Sequence, residues 1–300
     1  MDSWTASDIP DQSGRTVLVT GANSGLGLHT SLELARHGAR VLMACRDPQR
    51  GEDAMLRVRS EVPRSSVELV PLDLASLASV RTAADGIARR TDRLDALVCN
   101  AGVMAVPKRE TTADGFERQL GTNHLGHVAL TALVLPLLQA AAVPRVVIVA
   151  SDAAKIGKIH FDDLQAERSY GRWKAYGQSK LANLLFLREL SRRAGSALLV
   201  AGAHPGYAAT NLQASPGVTG AVMALGNRVL AQSDADGAWP QEYAATMPDV
   251  RSGDYFGPGR FFGQHGSPKR VTPFGGARDD AVAARLWDVS NDLVGVTFPF

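Results

Sequence analysis

Tyr176 and Lys180 are two side chains of this 300-residue sequence whose spacing suggests chemistry. They lie four residues apart at the start of an apolar segment that predicts a helix, and residues i and i+4 share a helix face. A phenol ordinarily has a pKa of about 10, and a neighbouring ammonium group lowers that value by stabilising the phenolate. The pair therefore predicts a tyrosine that gives and takes a proton. A surface aromatic above a lysine is the alternative.

Ser151 is a second candidate for the same site. It follows the apolar run Arg145–Ala150, which predicts a buried strand. A hydroxyl at the end of this strand is placed to hydrogen-bond the same carbonyl or alcohol oxygen as Tyr176. The alternative is that Ser151 caps the turn that follows the strand.

Glycines form a third pattern, in the segment Thr20–Gly27 (Thr-Gly-Ala-Asn-Ser-Gly-Leu-Gly). An apolar run precedes the segment and a helical pattern follows it, so a strand, a tight turn and a helix are predicted. Gly21 permits the turn, Gly25 lets backbone approach a ligand, and Gly27 lets the helix pack on the strand. The free N–H groups and positive dipole of the helix start suit a pyrophosphate. A plain glycine turn remains the alternative.

Strands and helices must bring these residues together. Short apolar runs predict strands at Thr16–Thr20, Arg40–Cys45, Val67–Val70, Ala96–Cys99, Arg145–Ala150 and Ala197–Ala201. Helices are predicted at Gly25–His37, Gln49–Ser60, Leu77–Arg89, Phe116–Leu138, Tyr176–Arg192 and Asp279–Val289. Continuously apolar strands are typical of a parallel sheet covered on both faces. The predicted fold class is α/β, a doubly wound parallel sheet (Rossmann fold) in one domain, residues 14–300, after an N-terminal arm, residues 1–13.

The residues that follow the predicted strands are polar or conformationally special. They are Gly21, Arg46, Asp73, Asn100, Ser151 and His204-Pro205-Gly206. The carboxyl ends of parallel strands meet at one edge of the sheet, where such folds bind their ligands. Such residues follow all six predicted strands, which predicts a ligand crevice lined by them.

The strand–helix alternation weakens after Thr210. Residues 211–245 contain helical stretches, and residues 253–275 are rich in glycine, proline and aromatic residues. We interpret residues 211–275 as a small substrate cap followed by a loop-rich segment. Its apolar side chains predict an apolar substrate.

Composition excludes several classes of partner. The net charge is +2, with no Lys/Arg cluster that predicts a nucleic-acid surface. No apolar run reaches the roughly 18 residues of a membrane span, and the acidic first residues do not predict a signal peptide. Cys45 and Cys99 end apolar strands and are predicted to be buried thiols. No spacing predicts a metal site. A cytoplasmic protein is expected.

Together these motifs resemble the short-chain dehydrogenase/reductase family over residues 14–210. The segment Thr20–Gly27 matches its glycine motif, and Tyr176–Lys180 its Tyr-x-x-x-Lys. Other matches are Asn100-Ala101-Gly102, Ser151, Asn123 and Pro205-Gly206. Within the family the sequence is most similar to the retinol dehydrogenase and WW-domain oxidoreductase-like branch, through Ala44–Asp47, Asn123–His127 and a long Ser151–Tyr176 interval. Cys99 departs from the further Asn of many members.

The resemblance implies roles for these residues. Tyr176 passes the proton, Lys180 lowers the pKa of Tyr176 and binds the nicotinamide ribose, Ser151 polarises the substrate carbonyl, and Asn123 holds a water. The cofactor-binding residues it implies are Gly21, Asn23, Ser24, Gly25, Leu26, Gly27, Arg46, Asp73, Leu74, Asn100, Ala101, Gly102, Tyr176, Lys180, Pro205, Gly206 and Thr210. Asp73 meets the adenine edge or is a turn residue, and Thr210 contacts the cofactor or caps a helix. The neighbouring His124 and His127 are predicted to be packed and hydrogen-bonded.

The end of the second strand indicates the cofactor. Cys45 occupies the position of the usual acidic residue, and Arg46 follows it. An arginine there pairs with a 2′-phosphate and favours NADP. Asp47 is the contrary signal and favours NAD, but Pro48 after it indicates that Asp47 caps the next helix.

The sequence thus predicts an NADP-dependent oxidoreductase that interconverts an alcohol and a ketone or aldehyde. A non-redox epimerase or dehydratase on the same fold and a dinucleotide-binding sensor remain the alternatives, because one fold hosts many functions. A homodimer is a further possibility, through the apolar face formed by Leu125, Val128, Leu130, Leu133 and Val134.

Overall fold

The computed structural model describes residues 4–206, 233–260 and 263–300. Its strands are β1 (Thr16–Thr20), β2 (Arg40–Cys45), β3 (Ser66–Pro71), β4 (Ala96–Cys99), β5 (Arg145–Val149), β6 (Leu199–Ala203), β7 (Tyr255–Arg260) and β8 (His265–Arg270). Its helices are α1 (Gly25–Arg36), α2 (Pro48–Glu61), α3 (Leu77–Ala88), α4 (Arg118–Leu120), α5 (Gly126–Gln139), α6 (Arg172–Ala194), α7 (Asp234–Thr246) and α8 (Asp280–Val294). No helix of these ranges is long and apolar enough to cross a membrane.

The strands form one sheet in the order β3-β2-β1-β4-β5-β6-β7-β8. The first seven are parallel, and β8 pairs antiparallel with β7. Two large clusters of buried apolar side chains lie on the sheet. The predicted fold class is therefore confirmed. The chain order reverses between β1 and β4, so this point is the topological switch where a ligand crevice opens.

The segment predicted to be loop-rich, residues 253–275, instead contains β7 and β8. Tyr255 and Phe256 are buried and pair in register with Gly202 and Ala203 of β6. Gly257 is required here because a Cβ would lie 1.9 Å from His204 Nε2. Tertiary packing thus overrides the low strand propensity of glycine and proline. Strand β6 also lies two residues later than predicted.

The predicted helix Phe116–Leu138 contains an irregular turn. A π-helical turn spans Gly121–Leu125, and the N–H of Gly126 bonds to the carbonyl of Gly121. Gly126 packs against the backbone of Leu74, whose carbonyl oxygen would lie 2.4 Å from an added Cβ. π turns often mark functional sites, and this one contains Asn123.

The apolar face suggested for a homodimer is used within the chain. Leu125, Val128, Leu130 and Val134 are fully buried, and α8 packs against both α5 and α6. Aromatic contacts bring Phe186 of α6 onto Trp287 of α8, with ring centroids 5.8 Å apart. Leu133 is half-buried, so four of the five side chains suggested for a homodimer face the chain's own core.

The substrate cap falls largely outside the described residues. Thr210 lies there, as do residues 211–232 of the segment predicted to contain helical stretches. Only α7, β7, β8 and the following turn represent residues 211–275 in the structure. Helix α7 packs against α1 at the edge of the crevice.

Candidate active site

A cavity of about 320 Å³ opens at the topological switch, above the carboxyl ends of β1, β2 and β4. Its lining includes these residues predicted to bind a cofactor: Gly21, Asn23, Ser24, Gly25, Leu26, Arg46, Asp73, Leu74, Asn100, Ala101 and Gly102. The structure therefore brings together eleven residues from four separate parts of the sequence. The other predicted cofactor residues, Gly27, Tyr176, Lys180, Pro205 and Gly206, do not line this cavity, and Thr210 lies outside the described residues.

The glycine turn fits tightly against the turn after β4. Gly21 has a φ of +67°, and a Cβ added to it would lie 2.9 Å from Ala101 Cα. Gly27 lies beneath the cavity, where a Cβ would meet the Gly21 carbonyl oxygen at 2.3 Å and Asn100 Nδ2 at 2.5 Å. Only glycine fits these two positions. The start of α1 therefore faces the cavity with its backbone N–H groups, as an anion-binding turn requires.

Asn100 joins the two turns. Its Nδ2 donates to the Thr20 carbonyl at 2.8 Å, and its backbone N–H donates to Thr20 Oγ1 at 3.0 Å. Its Oδ1 accepts from Gln241 Nε2 at 3.2 Å, and the same nitrogen donates to Thr30 Oγ1 at 2.7 Å. Gln241 lies on α7 and is a supporting residue that sequence reasoning missed. No local pattern marks it, because the contact joins residues 141 positions apart.

Arg46 and Arg50 line one part of the cavity. Neither guanidinium group has an ion-pair partner within residues 4–206, 233–260 and 263–300. Asp47 Oδ1 accepts from the backbone N–H of Arg50 at 3.1 Å and caps α2, as Pro48 indicated. Sequence reasoning missed Arg50, which lies in the first turn of α2 and is brought to the cavity beside Arg46 by the fold.

Asp73 is both a turn residue and a cavity residue. Its Oδ1 accepts from the Ala75 N–H at 2.9 Å, and its own N–H donates to Ser79 Oγ at 2.9 Å. Its side chain lines the cavity with Leu74. The two alternatives considered for Asp73 are therefore compatible, and the turn role is the one the hydrogen bonds show.

Tyr176 and Lys180 lie on one face of α6 and are almost fully buried. Lys180 Nζ is 5.9 Å from the centroid of the Tyr176 ring and donates to the Val149 carbonyl at 3.1 Å. Val149 ends β5, two residues before Ser151. The structure thus brings three of the four predicted catalytic side chains to the carboxyl end of β5.

The expected acidification of Tyr176 by Lys180 is wrong for this chain. Burial raises the pKa of Tyr176 above its ordinary value, while a hydrogen bond with Ser151 acts in the opposite direction. Burial also lowers the pKa of Lys180 to about 8. Removing the phenolate from water costs more free energy than its neighbours return. Tyr176 is consequently protonated at neutral pH.

Ser151 has two contacts that bear on its role. Its Oγ accepts from the Ala153 N–H at 3.2 Å and caps the 3₁₀ turn Asp152–Ile156, as the alternative proposed. It also lines a second cavity of about 370 Å³, together with the buried side chains His204 and Tyr255. Capping uses a lone pair of Ser151 Oγ and leaves its hydrogen to be donated, which agrees with the hydrogen bond between Ser151 and Tyr176.

Asn123 is fully buried in the π turn. Its Oδ1 accepts from the Val103 N–H at 2.7 Å, and its Nδ2 donates to the Val103 carbonyl at 2.9 Å and to Ser179 Oγ at 2.9 Å. The side chain therefore holds the segment that follows Gly102. The water-holding role implied by the resemblance stays a prediction.

Gly206 and His204 shape the end of β6. Gly206 has a φ of +64°, and a Cβ there would lie 2.6 Å from the Gln264 carbonyl oxygen. Its N–H donates to His204 Nδ1 at 3.3 Å. Gly206 thus packs closely on the backbone of Gln264, and the ring of His204 borders the second cavity.

A glycine turn at the switch point of a parallel α/β sheet, next to a Tyr–Lys–Ser group, is typical of dinucleotide-binding oxidoreductases. Residues 15–217 match the family model described as short chain dehydrogenase. The chain belongs to the short-chain dehydrogenase family, and it is an oxidoreductase of that type.

Known proteins place it further within the family. Human retinol dehydrogenase 14 is 43% identical over 301 residues, covering 94% of this chain and 87% of the relative. A crystal structure of an uncharacterized protein from Mycobacterium paratuberculosis has 44% identity and a TM-score of 0.82, with both chains fully covered. A short chain dehydrogenase from Shigella flexneri, complexed with NADP, has 22% identity and a TM-score of 0.66 over 82% of this chain and 97% of its own. The chain therefore lies in the retinol dehydrogenase branch.

Proposed function

We propose that this protein is an NADP(H)-dependent dehydrogenase that interconverts an alcohol and a ketone or aldehyde on an apolar small molecule. One observation carries the proposal. Tyr176, Lys180 and Ser151 meet at the carboxyl end of β5, and Gly102, which lines the same cavity as the glycine turn and Arg46, would bring an added Cβ to 3.6 Å from Lys180 Nζ. This arrangement supports both dinucleotide binding and proton transfer to a substrate oxygen.

The chain's own residues fit the proposed cofactor. The glycine turn and the start of α1 present N–H groups to an anion, and a Cβ would fill the space at Gly21 and Gly27. Arg46 and Arg50 are two guanidinium groups without carboxylate partners in the described residues. A 2′-phosphate would supply the negative charge that they lack. Asp47 is engaged in capping α2, which supports NADP over NAD.

The protein's part in the reaction is to hold and move a proton. Tyr176 is protonated at neutral pH, which is the state that gives a proton to a carbonyl oxygen. The Ser151 hydroxyl is placed to hydrogen-bond the same oxygen and to polarise the carbonyl. Lys180, held by the Val149 carbonyl, adds positive charge beside the phenol. A bound nicotinamide cofactor supplies the hydride chemistry.

The substrate is proposed from sequence and relatives. Residues 211–262 contain many apolar side chains, among them Leu212, Val218, Val222, Met223, Leu225 and Leu230. The relative described above carries the name retinol dehydrogenase. All-trans-retinal, an apolar aldehyde, is therefore the first substrate to test.

A titration of the purified protein with NADPH and with NADH, followed by cofactor fluorescence, tests the proposal. We expect NADPH to bind more than about 10-fold more tightly, because charge-assisted phosphate contacts contribute roughly 1.5–3 kcal/mol each. Retinal is then added, and oxidation of NADPH is followed by absorbance. Tighter binding of NADH contradicts the cofactor assignment. Binding of neither contradicts the proposed function. Cofactor binding without turnover favours the sensor alternative, and turnover without net cofactor oxidation favours an epimerase or dehydratase.

The rate of carbonyl reduction is expected to fall above about pH 8. Lys180 is a cation below its pKa of about 8 and neutral above it, so the positive charge beside Tyr176 is lost as the pH rises. Tyr176 keeps its proton over this range because burial raises its pKa. The measurement is kcat/KM with NADPH and retinal from about pH 6 to about pH 10. Lys180→Arg, whose side chain stays charged, should not show this fall; a fall of equal size in both proteins would contradict the assignment.

A further inference from the structure

His127 is a buried histidine on the first turn of α5, outside the proposed catalytic group. Its Nδ1 lies 3.0 Å from the carbonyl oxygen of Asn123, and its Nε2 lies 2.9 Å from Thr20 Oγ1. A carbonyl oxygen only accepts, so Nδ1 carries the hydrogen and donates. In the neutral ring Nε2 is then an acceptor, and the Thr20 hydroxyl donates to it.

The ring is neutral because it is buried. Burial, together with the smaller effect of the nearby Lys180 cation, lowers the pKa of His127 to about 4. The Val98 carbonyl, 3.2 Å from Thr20 Oγ1, competes for the hydroxyl hydrogen. Nε2 is closer, and without this hydrogen it would be a buried acceptor with no donor. The tautomer and both hydrogen bonds are therefore fixed together.

Both partners of His127 support the same stretch of backbone, Asn100–Val103, which lines the cavity. Thr20 Oγ1 accepts the N–H groups of Asn100 and Ala101, each at 3.0 Å. The Asn123 side chain holds the N–H and the carbonyl of Val103. The His127 ring thus contacts both residues that hold this stretch, Thr20 at its start and the backbone of Asn123 at its end.

We propose that His127 is a positioning residue that fixes Asn100–Val103, through Thr20 at one end and Asn123 at the other, in the conformation that binds the cofactor. The inference rests on the proposed function, since it assumes that this stretch contacts NADP(H). This positioning role differs from a packing role, because it requires one ring nitrogen of His127 to donate a hydrogen bond and the other to accept one.

The test compares His127→Phe, which keeps the bulk and removes both hydrogen bonds, with His127→Gln, which keeps one donor and one acceptor. We expect His127→Phe to raise the Kd for NADPH about 10- to 100-fold, the loss that one or two buried hydrogen bonds produce. His127→Gln should return the Kd to within about 5-fold of the unsubstituted protein. All titrations are made well below the unfolding temperature of each variant.

His124→Phe is the matched control. His124 is also a buried, neutral histidine of this segment, but its Nε2 contacts Ser290 of α8 on the side away from the cavity. We expect His124→Phe to lower the unfolding temperature while leaving the Kd for NADPH within about 2-fold of the unsubstituted protein. Equal losses of affinity in the two Phe variants would show that packing alone explains His127.

Thr20→Val decides the matter if His127→Phe does not fold. It removes only the hydroxyl and should raise the Kd for NADPH. Where His127→Phe does fold, adding it to Thr20→Val should cost little more, because the two residues act in one network. An unchanged Kd in Thr20→Val, or additive losses in the double variant, would overturn the inference. A parent protein that binds neither NADPH nor NADH would instead contradict the proposed function.

Discussion

Replacing Tyr176 with phenylalanine is expected to lower kcat for retinal reduction about 1,000-fold. The phenylalanine keeps the ring, which packs edge-to-face on Trp173 at 6.1 Å between centroids, and loses only the hydroxyl. The Kd for NADPH should change by less than about 3-fold, because the proton donor acts in the transition state and contributes little to cofactor binding. Stopped-flow or steady-state absorbance of NADPH gives the rate.

Tyr243→Phe is the control for Tyr176→Phe. Tyr243 lies on α7 and lines neither cavity, and its hydroxyl donates to Asp249 at 3.0 Å. The activity of Tyr243→Phe should therefore be retained. If Tyr176→Phe reduces retinal with the kcat of the parent protein, Tyr176 is not the proton donor. Equal losses in both variants would point to a general effect of losing a tyrosine hydroxyl.

The double substitution Arg46→Ala, Arg50→Ala is expected to weaken NADPH binding about 100-fold, with NADH binding changed by less than about 3-fold. Each guanidinium group is expected to make charge-assisted contacts with the 2′-phosphate that NADH lacks. Arg46→Ala alone should lose about 10-fold, because Arg50 partly compensates. Paired fluorescence titrations of each variant give the ratio of the two Kd values.

Arg57→Ala serves as the control for Arg50 because it lies on the same helix. Its guanidinium is exposed and paired with Glu61 at 3.0 Å, and it does not line the cavity. The ratio of the Kd for NADPH to the Kd for NADH should therefore be the same in Arg57→Ala as in the parent protein. If the ratio of the two Kd values is unchanged by the double substitution, residues other than Arg46 and Arg50 bind the 2′-phosphate. The prediction made from the end of the second strand would then be wrong.

Much of the crevice could be predicted because its residues carry local signals. The bounds of β1, β2 and β4 agree with the apolar runs, since these central strands are buried on both faces. The glycines of the first turn are required by backbone contacts that a Cβ would block. The helix-capping role of Asp47 followed from one neighbouring proline.

Other parts of the site depend on contacts that leave no local pattern. The π turn at Gly121–Leu125 lies inside the segment that the sequence predicted as one continuous helix, Phe116–Leu138. Gln241 reaches the site from α7, and β7 is a strand only because Tyr255 and Phe256 pack beside β6. The pKa of Tyr176 could not be read from its spacing to Lys180, because burial decides its direction. These features follow from the tertiary structure.

The contact between the turns after β1 and β4 has a consequence for folding. These turns lie at the centre of the sheet, and the floor of the cavity exists only while β1 and β4 remain paired. A dinucleotide bound there would stabilise the folded protein as a whole by mass action, and its binding would disappear with any opening that separates this strand pair. Cofactor fluorescence is therefore a reporter of global unfolding in this protein, while frayed outer strands such as β8 would pass undetected.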